Sequence, residues 1–144
     1  VSLFVLKGCK KDGTGGSITG NNMHVHFKVG PSDLSQNQTY QDKTGRNFQV
    51  SRIQFYVSNI KIEQAGGTML EFPDEYRLVS SDQMMYPLPD LEAGHYHGLS
   101  FDIGVDSVAN HSDPALWPSN HPLSPTNPKQ AHWSWNSGYI FVFI

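Results

Sequence analysis

Cysteine is nearly absent from the chain. Cys9 is the only one in 144 residues, so no internal disulfide can form. If Cys9 lies outside the folded part, any metal there must be held by His, Met, carboxylate or carbonyl donors. Charge is scarce too, at 16% of residues, and the net charge of −3 offers no footing for nucleic-acid binding. Long apolar helical stretches are missing, and the apolar opening Val1-Ser2-Leu3-Phe4-Val5-Leu6 is too short to span a bilayer. Catalytic signatures are missing as well. There is no G-x-S-x-G, no H-E-x-x-H and no phosphate-binding glycine loop, and Asp102, Asp106 and Asp113 are dispersed rather than paired. The expectation is a binding protein, not an enzyme.

Glycine (13) and proline (9), by contrast, are plentiful, as suits short strands joined by many turns. With 38% hydrophobic residues the chain can bury one core, so a single domain is expected over residues 22–144. Residues 1–9 read as the tail of a signal peptide ending at Cys9. Leu6-Lys7-Gly8-Cys9 is similar to the lipobox of bacterial lipoproteins, with Leu three residues before the cysteine and a small Gly just before it. Lys7 departs from that pattern, which prefers a small or apolar residue there. Cys9 is therefore the expected lipidation site; the alternative is a buried thiol in a first strand. Residues 10–21, through Gly13-Thr14-Gly15-Gly16-Ser17, form a flexible tether. At the other end, the apolar run from Tyr139 to Ile144 has no closing turn residue, and further sequence is expected beyond it.

Alternation dominates the domain. Met23, Val25, Phe27 and Val29 share one face of a strand, with His24, His26 and Lys28 on the other. Lys43-Thr44-Gly45 suits a turn. Ile53, Phe55 and Val57 alternate, then the parity switches to Ile60 and Ile62, which predicts a β-bulge at Ser58-Asn59. Glu75 to Val79 is a short strand, and Leu99, Phe101, Ile103 and Val105 mark another. His95 and His97 share the parity of those apolar residues, with a twist or turn at Gly98 to carry them off the core face. Residues 106–131 hold five prolines along with His111, Trp117 and His121, and a structureless connection of that length is often functional. The predicted fold is all-β, a Greek-key sandwich or flattened barrel with one long Pro/His-rich loop.

Several of these segments are familiar in order. Trp133-Ser134-Trp135-Asn136-Ser137-Gly138-Tyr139-Ile140-Phe141 resembles the W-x-W-[QN]-x-G-Y-x-F signature of MbnP-like domains, associated with methanobactin operons. Asn110-His111-Ser112-Asp113-Pro114 is similar to the N-H-x-D-P element of that family, and Phe101 to Val105 to the strand ahead of it. Leu123-Ser124-Pro125-Thr126-Asn127 resembles the Pro/Asn-rich stretch that follows, and Phe55-Tyr56-Val57-Ser58-Asn59 the early F-Y-[VI]-S-N strand. The resemblance covers residues 22–144. It implies a β-sandwich that binds copper, as Cu(I) or Cu(II), outside the cytoplasm for acquisition, storage or delivery. It also implies, for some members, a tryptophan oxidised to kynurenine by a partner dihaem enzyme of the cytochrome c peroxidase type. The Trp-x-His arrangement of one modified member does not occur here. With Cys9 lipidated, the protein is expected to be anchored to a bacterial membrane, in the periplasm or at the cell surface. The other readings are a cell-surface interaction module without metal and a redox accessory to a haem protein.

Imidazole suits copper, zinc or nickel, and affinity among divalent ions peaks at Cu(II). His111, in its family-like motif beside Asp113, and His132, at the start of the final strand, are the leading candidate ligands. The bland alternatives are a ring packed against Trp117 and a surface ring beside a core Trp. His121 belongs to the same loop, where a lone His is usually just solvated. His24 and His26 project from one strand face and can chelate one ion, although a polar face with Lys28 explains them equally. His95 and His97 have the same spacing. Met84 and Met85 offer soft thioethers, but beside Tyr86-Pro87 they are expected to pack. Trp133 and Trp135 are expected to anchor the core.

Overall fold

The structure is a computed structural model that describes residues 20–129, 131–134 and 138–144. Cys9, most of the tether and Trp135 lie outside the described residues. The class is all-β: among the described residues, thirteen strands, most of them short, accompany one four-residue helix and one 3-10 turn. The chain divides into two compact units.

The first unit takes in the described residues up to Gln54 together with Val79–Ala93 and Ile144. It holds β1 (Asn22–His24), β2 (Lys28–Val29), β3 (Ser32–Asp33), β4 (Thr39–Gln41) and β5 (Asn47–Gln49). The expected alternation is present: Met23, Val25 and Phe27 are buried while His24 and His26 are exposed. Ladder pairing nevertheless breaks off after His24 and resumes at Lys28. β2 pairs with β3 and β4 with β5, each as a two-stranded ribbon. The predicted turn at 43–45 is held by Asp42, whose carboxylate accepts from Thr44 Oγ1 (2.7 Å) and from the amides of Thr44 and Arg46. The Thr44 hydroxyl and the Arg46 amide chiefly hold its pKa down at about 2. Within the same unit the buried Tyr86 hydroxyl accepts from the Ser80 amide at 2.7 Å, which closes the turn between residues 80 and 86.

The second unit comprises Phe55–Leu78 and Gly94–Phe143. Its spine is β6 (Gln54–Gln64), which enters this unit at Phe55 and is buried from there to Ser58. β7 (Met69–Phe72) and β8 (Arg77–Ser80) pair with β6. After β9 (Met85–Pro87), a first-unit strand paired with β1, comes β10 (Tyr96–Ile103), which runs antiparallel along β6. Ser100 pairs with Lys61 but Asp102 with Ser58, so β6 carries one extra residue, and Asn59 has φ of 49°. This is the bulge that the parity switch predicts. A second irregularity lies between Tyr96 and Gly98, and it leaves His95 and His97 exposed. Ile103, expected in the core, is exposed, whereas Val105 is buried.

The described residues between 104 and 131 contain no strand, yet they are not structureless. They hold helix α1 (Ser107–Asn110), a 3-10 turn (Pro114–Leu116) and the buried residues Ala109, Pro114, Leu123 and Ser124. Then come β11 (His132–Ser134), β12 (Gly138–Tyr139) and β13 (Val142–Phe143). The final apolar run is thus two short strands, not one. β11 pairs with β12, and β13 flanks β6 opposite β10.

Candidate functional site

Around α1, backbone groups are satisfied by nearby side chains, and the capping carboxylate is held in turn by a residue thirty positions away. The Asp106 carboxylate caps α1 by accepting from the amides of Val108 and Ala109, both at 3.0 Å. It also accepts a short hydrogen bond from the buried Tyr76 hydroxyl. Burial alone would raise the Asp106 pKa, but the Tyr76 hydroxyl and the two amides outweigh it and hold the carboxyl below its usual value. Burial first, and then the Asp106 carboxylate, push the Tyr76 phenol upward. Asp113 accepts from the Ala115 amide at 2.9 Å and starts the 3-10 turn, with Pro114 at its first position. Asp113 thus serves as the cap of this turn through Oδ1.

A chain of aromatic rings follows. Trp117 and His121 stack at 4.3 Å with an interplanar angle of 8°, and both meet the Tyr76 ring edge-on. The Leu123 amide donates to His121 Nδ1 at 3.2 Å, which assigns the ring proton of neutral imidazole to Nε2. Burial lowers the His121 pKa and favours that neutral form. His121 is thus a packed, half-buried ring rather than a solvated one. Tyr76, Asp106, Ala109, Trp117, Asn59 and Leu116 help to line a cavity of about 510 Å³.

The loop is fastened to the strands by three tyrosine and asparagine contacts. Tyr56 Oη accepts from the Ala131 amide at 3.2 Å, and Tyr139 Oη donates to the Leu123 carbonyl at 2.6 Å. Burial raises the Tyr139 phenol to about 12. Asn110 Oδ1 accepts from the Tyr139 amide at 2.8 Å. Gly138, with φ of 70°, is required here twice over, because a Cβ at this position would collide with the Asn110 amide.

This last contact links the two segments that carry His111 and His132. His111 follows Asn110, and His132 is the cross-strand partner of Tyr139, with the two rings edge-to-face at 4.9 Å. Asn110 therefore joins the segment of His111 to the strand pair of His132. His111 Nδ1 lies 2.7 Å from the Ser107 carbonyl, so it carries the proton and leaves Nε2 as a lone pair. That is the arrangement a metal-bound histidine usually has. His24 and His26 belong to the first unit and are both exposed. Among the described residues, no group of three or more His, Cys, Asp or Glu side chains is gathered for a metal.

Three features escape the sequence reading. Tyr76 and Asp106 stand thirty residues apart with no shared motif, and only the fold joins them. Trp133 is 73% exposed instead of anchoring the core, and Met84 and Met85 are exposed rather than packed. Asn110 did carry a signal, as the first letter of its N-H-x-D-P element.

A family model described as MbnP matches residues 19–144. No curated protein and no solved structure matches the chain.

Proposed function

The chain belongs to the MbnP family, and from that premise we propose that it is a non-catalytic copper-binding protein of the extracytoplasmic space, tethered to a membrane through lipidated Cys9. Copper is held by His111 Nε2 and the His132 imidazole, for acquisition, storage or delivery. The observation that carries this reading is the Asn110–Tyr139 hydrogen bond, which draws the two histidine-bearing segments together. The Ser107 carbonyl supports it by fixing the His111 tautomer.

Copper titration of the single variants His111→Ala and His132→Ala tests the reading. Each is expected to weaken copper binding by at least about tenfold, which is about 1.4 kcal/mol. Unchanged stoichiometry and affinity in both would remove the loop site. A second reading, a surface interaction module without metal, is favoured by the exposed Trp133 indole. It takes over if protein purified from copper-supplemented cells carries no copper.

A further inference from the structure

The β1–β9 ribbon of the first unit has a solvent face whose chemistry the loop site does not use. Asn22, Met23 and His24 pair with Pro87, Tyr86 and Met85 in antiparallel register. The Val25 amide donates to the Met84 carbonyl at 2.9 Å, and the Leu88 amide to the Asn21 carbonyl at 2.8 Å. Hydrogen-bonded pairs therefore fall at 21/88, 23/86 and 25/84. His24 and Met85 are a non-hydrogen-bonded pair, the kind whose Cα atoms stand only about 4.5 Å apart and whose side chains come closest. Met23 and Tyr86 point to the buried side, so His24 and Met85 point out.

His26 lies two residues further along the same face, about 7 Å from His24 at strand spacing. Val25 and Phe27 on either side of it are buried, which fixes the outward direction. Neither imidazole has a partner among the described residues. Met85 is 52% exposed and Met84 59% exposed, which is unusual for side chains that gain by burial. About half of the Met85 side chain stands in solvent opposite the His24 imidazole.

We propose that His24, His26 and Met85 form a second metal site, selective for Cu(I), on this face. Imidazole alone does not choose among copper, zinc and nickel, whereas a thioether favours Cu(I). One imidazole from β1, one from just beyond its end and one thioether from β9 lie on the same side and leave the opposite side open to solvent. The ion can therefore enter and leave without the fold opening. The site uses nothing from the loop and stands whether or not His111 and His132 bind copper.

The test uses the His111→Ala/His132→Ala protein as host, so that only this face remains. Cu(I) is titrated anaerobically against a chromogenic Cu(I) chelator, and Zn(II) is titrated in parallel. The host is expected to bind Cu(I). Adding Met85→Leu, which keeps the side chain apolar and of similar size, should weaken Cu(I) at least about tenfold and leave Zn(II) within about twofold. Adding His24→Ala/His26→Ala should weaken both ions. A host without Cu(I) affinity, or a Met85→Leu variant that binds Cu(I) unchanged, overturns the proposal. Met85→Leu in the wild-type background, with circular dichroism to show the fold intact, decides the same question should the host fold poorly. Comparison of wild type with host reads the loop site alone, so either site can fail without the other.

Discussion

In the second unit the motif residues are tied down. Asn110 holds the Tyr139 amide, Tyr56 the Ala131 amide, Tyr139 the Leu123 carbonyl and Asp113 the Ala115 amide. In the first unit His24, His26, Met84 and Met85 stand in solvent, their side chains without partners among the described residues. The residues that make this chain resemble its family are thus mostly spent on holding a loop against strands. The free imidazoles and thioethers of the first unit lie outside those motif elements, while the second unit keeps His95, His97 and His111 exposed. Motif density and chemical availability are different quantities: a residue of a family-like motif is as often a fastener as a free donor.

The comparison breaks most sharply at Gly138. Gly138→Ala forces a β-carbon into the Asn110 amide at a positive φ, and a destabilisation of about 2–5 kcal/mol is expected from strain and overpacking together. Urea denaturation monitored by tryptophan fluorescence reads it. A second change, Asn110→Ala, should recover part of the loss. A cost below about 0.5 kcal/mol, the level of an ordinary surface change, would mean the clasp is not holding the loop.

A smaller effect should follow from pH. His121 has its pKa lowered from 6.5 by burial in the folded chain, so the unfolded chain takes up the proton first as pH falls. Stability from this ring is complete above about 6.5 and is lost as pH falls toward the folded value. Protonation also removes the acceptor that His121 Nδ1 offers Leu123. Denaturation midpoints between about pH 7 and pH 5 should therefore fall less steeply in His121→Phe than in wild type. Parallel slopes would show that the ring titrates as a solvated one.

The smallest expected change is on the first-unit face. Met85→Leu and His24→Ala/His26→Ala should each shift stability by no more than about 0.5 kcal/mol. A larger loss would show that these side chains carry packing, and the contrast between the units would shrink accordingly.

Much of the strand pattern was legible because alternation is a local signal. Met23, Val25 and Phe27 marked their buried face directly, and the switch from Val57 to Ile60 marked the bulge. Alternation does not say whether anything covers a given face, which is why Trp133 and Ile103 are exposed against expectation. The all-β class followed from the same local pattern. Of the site, the sequence marked His111 and its motif, but the pairing of Tyr76 with Asp106 and the stack of His121 on Trp117 depend on loop closure. His24 and His26 were legible as a pair; Met85 was not, because its place opposite His24 depends on the register of β1 with β9.

The bulge at Asn59 has a consequence for counting along β6. A shorter strand that passed directly from Ser58 to Ile60 would still alternate, with Phe55, Val57, Ile60 and Ile62 on one side and Tyr56, Ser58 and Lys61 on the other. Asn59 is therefore surplus to the facing of every neighbour. What the additional residue supplies is direction: its amide reaches Asp102 at 2.7 Å, and its side forms part of the wall of the cavity beside Trp117. Shortening the strand by that one residue would leave the hydrophobic arithmetic intact and take away a piece of the cavity, so this position answers to the hollow it borders rather than to the sheet it interrupts.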